Sequence, residues 1–303
     1  MLGITGTFLD EITHDIPSQN WGAREWARDF DAMKEAGIDT VILIRAGYRR
    51  QAAFNSEVLR RRRDIFPVYT DLVDLFLSEA ERCGMDFYFG TYDSGEFWQG
   101  GRFREETDLN KAFCDEVVNR YGERAAFKGW YISHEINTFN EGMMGVYEDL
   151  ADHLRGLKDL PILISPYIKG IKQFGREAIS LERHIEEWRE VFARIRGKVD
   201  IVAFQDGQID FHELADYLQA NRELAAAHGI RSWSNIESFD RDMPIKFPPI
   251  AYPKLRFKME AARKAKVDKL ITFEFSHFLS PNSIYPAAHG LYERYMDWMG
   301  KRQ

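Results

Sequence analysis

Two periods of apolar spacing take turns along the chain. Short continuous runs such as Thr40-Val-Ile-Leu-Ile44 and Pro161-Ile-Leu-Ile-Ser165 are apolar on both sides, the pattern of a strand buried on both faces of a parallel sheet. Between them lie longer stretches with apolar residues three or four apart, such as Trp26, Phe30 and Met33, the pattern of a helix burying one stripe. Gly37 and Gly84 follow two of these stretches, where a helix stop is expected.

Taken in order, the runs predict eight strands: 1–8, 40–44, 86–92, 128–137, 161–165, 199–204, 231–236 and 269–273. They alternate with helices predicted over 24–33, 69–83, 108–121, 144–157, 181–195, 211–228, 253–265 and 286–299. Strict alternation of eight with eight points to an α/β protein built as a (β/α)8 TIM barrel. No linker, charge block or low-complexity tract divides the 303 residues, so one barrel domain spanning 1–303 is expected. A doubly wound open sheet fits less well, because no strand leads into a Gly-rich phosphate turn.

Chemistry-bearing residues gather at the strand ends. The runs end in Arg45, Asp93, His134 and Glu135, Tyr167, Gln205 and Asp206, Glu237, and Glu274 and His277. In a barrel these ends converge on one face, from which active sites are built. Glu135 and Glu237 close strands four and seven, which lie across the mouth from one another. Two carboxylates facing over a cleft are the minimum equipment for glycoside hydrolysis: one protonates the leaving oxygen, the other attacks the anomeric carbon or activates water. Trp98 and Phe97, in the loop after strand three, are placed to stack on a sugar face. Loops 94–103 and 238–249 are expected to set specificity.

Composition narrows the partners. Charged residues make up 29% and apolar residues 45%, an ordinary soluble balance, and the net charge of −7 argues against a nucleic-acid backbone. Aromatic residues reach 14%, most of them needed for packing. No apolar run is long enough to span a membrane. No basic region and apolar stretch precede the first strand, so a cytoplasmic location is expected. Cys83 and Cys114, the two cysteines, fall in predicted helices and read as buried free thiols. Neither a metal nor an organic cofactor is expected, and the oligomeric state is not legible.

At Trp130-Tyr-Ile-Ser-His-Glu135 the chain resembles the strand-four signature of the DUF4434 type, a bacterial family of barrels related to the retaining TIM-barrel glycoside hydrolases. The likeness extends from Gly3-Ile-Thr-Gly-Thr-Phe8 to Phe273-Glu-Phe-Ser-His277. It implies that Glu135 is the acid/base, with Trp130 or Trp233 desolvating it, and that Glu237 is the nucleophile, held by Arg45 or Tyr167. That clan carries Asn immediately before the strand-four Glu, to hold a sugar hydroxyl. Here the position is His134, so either Asn137 or Asn235 substitutes or the substrate differs. The remaining expected carbohydrate contacts are Arg45, Asp93, Trp98, His134, Tyr167, Gln205, Asp206, Glu274 and His277. Glu274 is a rival for either catalytic role, or else an ion-pair partner of Arg45. Two other readings fit the residues: a metal-dependent sugar isomerase or epimerase using Glu135, Asp206, Glu237 and His277 as ligands, and a carbohydrate-binding barrel without catalysis.

Overall fold

A computed structural model describes residues 2–13, 16–243 and 246–301. Met1 of the first predicted strand and Pro244 of the 238–249 loop lie outside the described residues. Eight parallel strands close into a barrel: Ile4–Leu9, Thr40–Leu43, Asp86–Gly90, Phe127–Tyr131, Ile162–Ile164, Ile201–Gln205, Arg231–Glu237 and Lys269–Phe273. Closure comes from the first strand, which pairs with both the second (Thr7 with Val41) and the eighth (Thr7 with Thr272).

Side-chain alternation along these strands divides the apolar residues into two cores. Phe8, Ile42, Tyr88, Tyr131, Leu163, Ala203, Trp233 and Ile271 fill the barrel interior. Their neighbours in sequence, such as Val41, Phe89, Trp130 and Phe204, point outward and meet the helices. Trp130 packs edge-on against Phe127 and Phe89, and its indole donates to Lys158 O. Tyr131, one residue on, packs edge-on against Phe8 inside.

Helix starts follow their caps rather than the first apolar residue. Asp71 accepts the Asp74 N–H, so that helix runs Leu72–Cys83 instead of starting at Tyr69. Asn140 caps Glu141–Leu157, and Ser180 caps Leu181–Ile195, whose bounds match the periodic pattern. The fourth strand stops at Tyr131, short of the predicted Asn137. Beyond it the Ser133 hydroxyl reaches the carbonyls of Ile44 (2.7 Å) and Thr91 (2.9 Å), taking over from the backbone ladder. Elements too short for periodicity to reveal also surround the mouth: a small sheet of Gly47–Tyr48, Gln51–Ala52 and Tyr92–Asp93, and the helices Glu57–Arg63, Ile171–Phe174 and Phe275–Phe278. Cys83 and Cys114 are buried free thiols. No described helix is long and apolar enough to cross a membrane.

Candidate active site

At the C-terminal end of the barrel the strand ends enclose a cleft of about 330 Å³, at the small end of the range for small-molecule sites. Arg45, Asp93, Trp98, Glu135, Tyr167, Gln205, Asn235 and Glu237 all line it. So do Tyr48, after the end of the second strand, and Gln208, Arg241 and Phe247, which strand-end reasoning did not single out.

Glu135 stands in a polar corner. Tyr131 donates to its Oε1 at 3.1 Å, and Arg45 Nη2 lies 3.9 Å away. Arg45 is shared, since its Nε also reaches Asp93 at 3.2 Å. Asp93 in turn accepts the Trp98 indole N–H at 2.8 Å, so the loop tryptophan is held upright beside the cleft. Burial pushes the Asp93 carboxyl up, but Arg45, His134 and Trp98 together bring it below its ordinary value. Burial, and next the charge of Glu135, raise the Tyr131 and Tyr167 hydroxyls. Neither tryptophan expected to desolvate Glu135 lines the cleft. Trp130 belongs to the outer core, and Trp233 sits at the opposite end of the barrel beside Asp39 and Lys269.

Glu237 is gripped. Arg241 binds it bidentately, Nε to Oε2 at 2.7 Å and Nη2 to Oε1 at 2.6 Å. Neither Arg45 nor Tyr167, the expected holders, does this; Arg45 is committed to Asp93 and Glu135. The Arg241 guanidinium lies over the rings of Phe239 (4.9 Å) and Phe247 (5.5 Å). Burial lowers its basicity, yet Glu237 more than reverses this, and Asp206 and Glu135 add to the pull. Only Gly fits at 207: a Cβ there would stand 1.5 Å from Glu237 Oε2.

Six expected contacts are placed elsewhere. His134 is fully buried on the outward side of its segment, with Nε2 2.8 Å from Glu106 Oε1 and its ring edge against Trp98. Asn137 does not line the cleft. Asp206 sits behind Glu237, accepting the Glu237 N–H at 3.0 Å and pairing with Lys258 Nζ at 2.8 Å. Its carboxyl is raised by burial, which Lys258 only partly offsets. Glu274 caps the short helix Phe275–Phe278 and accepts the N–H groups of Ser276 (2.8 Å) and His277 (2.6 Å), so it neither rivals the pair nor binds Arg45. His277 lies with Nδ1 2.7 Å from Glu274 Oε1, a charge contact without hydrogen-bond alignment, and its Nε2 is 2.7 Å from Pro17 O. Burial disfavours its charged ring, but Glu274 outweighs this and brings its pKa up to about 9. Phe97 is a loop anchor, sandwiched between the guanidinium groups of Arg63 and Arg102.

The metal-ligand set Glu135, Asp206, Glu237 and His277 therefore does not converge. The one cluster of metal-ligating side chains among the described residues is Asp93, Glu106 and His134. Its carboxylates are already engaged: Glu106 takes His134 Nε2, the Ser94 N–H and hydroxyl, and Asn110 Nδ2, and Asp93 takes the Trp98 indole, the Gly95 N–H and Arg45.

The closed parallel barrel brings Glu135, after its fourth strand, and Glu237, at the end of its seventh, to one cleft. The chain belongs to the DUF4434 family, a domain of unknown function whose model matches residues 4–285. A solved structure from Bacteroides thetaiotaomicron VPI-5482, described as a putative alpha-L-fucosidase, is 48% identical, with a TM-score of 0.96 over 99% of this chain and 94% of that one. An endo-1,4-beta-D-mannanase from Thermotoga petrophila RKU-1 shares the fold at 11% identity (TM-score 0.58, 90% and 88% covered). So does a glycoside hydrolase family 5 protein from Bacteroides vulgatus ATCC 8482, at 12% identity (TM-score 0.58, 91% and 59% covered). No curated protein matches the chain.

Proposed function

We propose that the protein is a glycoside hydrolase that uses Glu135 as general acid/base and Glu237 as nucleophile, with retention of configuration. The observation that carries this reading is the contrast between two carboxylates lining one cleft. The Glu135 side chain is 21% exposed and within reach of bulk protons, whereas that of Glu237 is 2% exposed and ion-paired to Arg241. An acid/base must exchange protons with solvent between steps; an attacking carboxylate gains from being held in place. Trp98 offers a ring face for a sugar, and Gln205, Gln208, Asn235 and Tyr167 offer the hydroxyl-reading groups. The relative described as a putative alpha-L-fucosidase makes α-L-fucosides the first substrates to try.

The test is a panel of para-nitrophenyl glycosides, headed by the α-L-fucoside, against wild type, Glu135→Gln and Glu237→Gln. Loss of turnover in both variants supports the pair. Full activity in both overturns it. Proton NMR of the first-formed anomer decides retention against inversion.

A further inference from the structure

We infer that Lys258, a residue that never meets the cleft, is a positioning residue for Glu237. The inference rests on the role proposed above for that carboxylate. Lys258 lies in the helix Tyr252–Ala265 and is only 4% exposed. An ammonium group is costly to bury without full compensation. Its Nζ donates to Asp206 Oδ1 at 2.8 Å and to the Glu237 carbonyl at 3.0 Å. The same Asp206 oxygen accepts the Glu237 N–H at 3.0 Å. One buried ion pair therefore holds both peptide groups of the residue whose carboxylate is to react.

On the side of the sixth strand the ladder does not do this work: pairing there ends at Gln205 with Asn235, whereas on the other side Glu237 is still in register with Phe273 of the eighth strand. Side-chain charges take over there. A buried ion pair is a weak source of stability, since apolar residues of similar size often do as well. What apolar residues cannot do is bind an N–H and a C=O together. The carboxylate end is fixed independently, resting on the Gly207 backbone and gripped by Arg241. With peptide and carboxylate both anchored, Glu237 has a defined point of attack, and a misplacement of about 1 Å costs about a hundredfold in rate.

The experiment compares Lys258→Met, the double variant Lys258→Met with Asp206→Asn, and Glu237→Gln, on the para-nitrophenyl glycoside that the wild type hydrolyses. Met keeps the stem of the side chain and removes the donor. The second change removes the stranded charge, while an amide at 206 still accepts the Glu237 N–H. The double variant is expected to melt near wild type, with kcat down about a hundredfold and KM within about twofold. Amide exchange over residues 231–241, followed by mass spectrometry, is expected to speed up. A double variant with wild-type kcat and unchanged exchange overturns the inference, leaving Lys258 as a charge balance only. If that happens while Glu237→Gln is inactive, the catalytic assignment stands and the positioning claim alone fails. An active Glu237→Gln overturns both.

Discussion

The two sides of the mouth present the same functional group in opposite settings. At the fourth strand, Glu135 accepts from the Tyr131 hydroxyl, lies 3.9 Å from a guanidinium shared with Asp93, and keeps its side chain 21% exposed. At the seventh, Glu237 is fixed at its carboxylate by Arg241 and at its peptide groups by Asp206 and Lys258, and it rests on Gly207. The strong order on the fourth-strand side lies one layer back, where Asp93, Glu106, Trp98 and His134 bind each other. One corner is a supported wall with an accessible carboxylate in front, and the other is a clamp around the carboxylate itself. An acid/base can work in the first setting, because proton transfer tolerates an adjustable donor. Attack at carbon asks for the second.

Glu237→Gln tests the clamp most directly. It should lower kcat/KM by about 10⁴-fold or more on every glycoside the protein accepts, because no bond to the anomeric carbon can form. Loss independent of the leaving group supports the contrast. A loss that shrinks for good leaving groups would reverse the two roles.

Glu135→Gln should lose about 10²–10⁴-fold on glycosides with alkyl or sugar leaving groups, the usual range for general acid catalysis. On para-nitrophenyl glycosides, whose leaving group needs little protonation, the loss in the bond-breaking step should be much smaller. Pre-steady-state kinetics with the two leaving groups checks this, and equal losses would remove the acid role.

Gly207→Ala is the next largest expected effect. A Cβ at 1.5 Å from Glu237 Oε2 forces either the carboxylate or the turn to move. We expect kcat to fall about tenfold to a hundredfold, with only a small drop in melting temperature, since the turn is at the mouth and not in either core. The matching substitution on the other side, Gly95→Ala, meets only the Arg49 side chain, though at a left-handed φ of 66°, and should affect kcat less.

The barrel and its two carboxylates were legible in the sequence, whereas the clamp was hidden. Continuous apolar runs placed all eight strands, and the polar residue after each run located both carboxylates, because barrel topology brings strand ends together whatever the loops do. Arg241 is an ordinary loop residue until Phe239 and Phe247 fold over it. Lys258 looks like one more surface lysine in a helix, and only the packing of that helix against the seventh strand and the preceding helix Leu214–Ala227 buries it. Gly207 carries no signal beyond being a glycine after a strand. His134 misled because adjacency in sequence suggested a shared direction, whereas alternation sends it to the other side of the segment from Glu135. Glu274 misled in another way: a carboxylate at a strand end also suits a helix cap, and the short helix Phe275–Phe278 takes it.

The smallest expected effect concerns the supporting wall, and it shows in stability rather than turnover. Burial alone would push the His134 ring below its ordinary value of 6.5, but Glu106 at 2.8 Å and then Asp93 outweigh that and raise it. A folded-state value above the unfolded one means that the native protein binds this proton more tightly. The contribution is therefore complete below about pH 6.5 and fades as pH rises through the raised value. His134→Gln keeps a donor for Glu106 but cannot carry the proton. Urea unfolding of both proteins should show their largest stability difference near pH 5.5 and a smaller one near pH 9. A pH-independent difference would mean that the ring acts by shape and hydrogen bonding alone. Because His134 does not line the cleft, its effect on kcat near neutral pH should stay well below that of Glu135→Gln. A comparable loss of turnover would instead tie the wall to the carboxylate in front of it, and the contrast between a supported wall and a clamp would collapse.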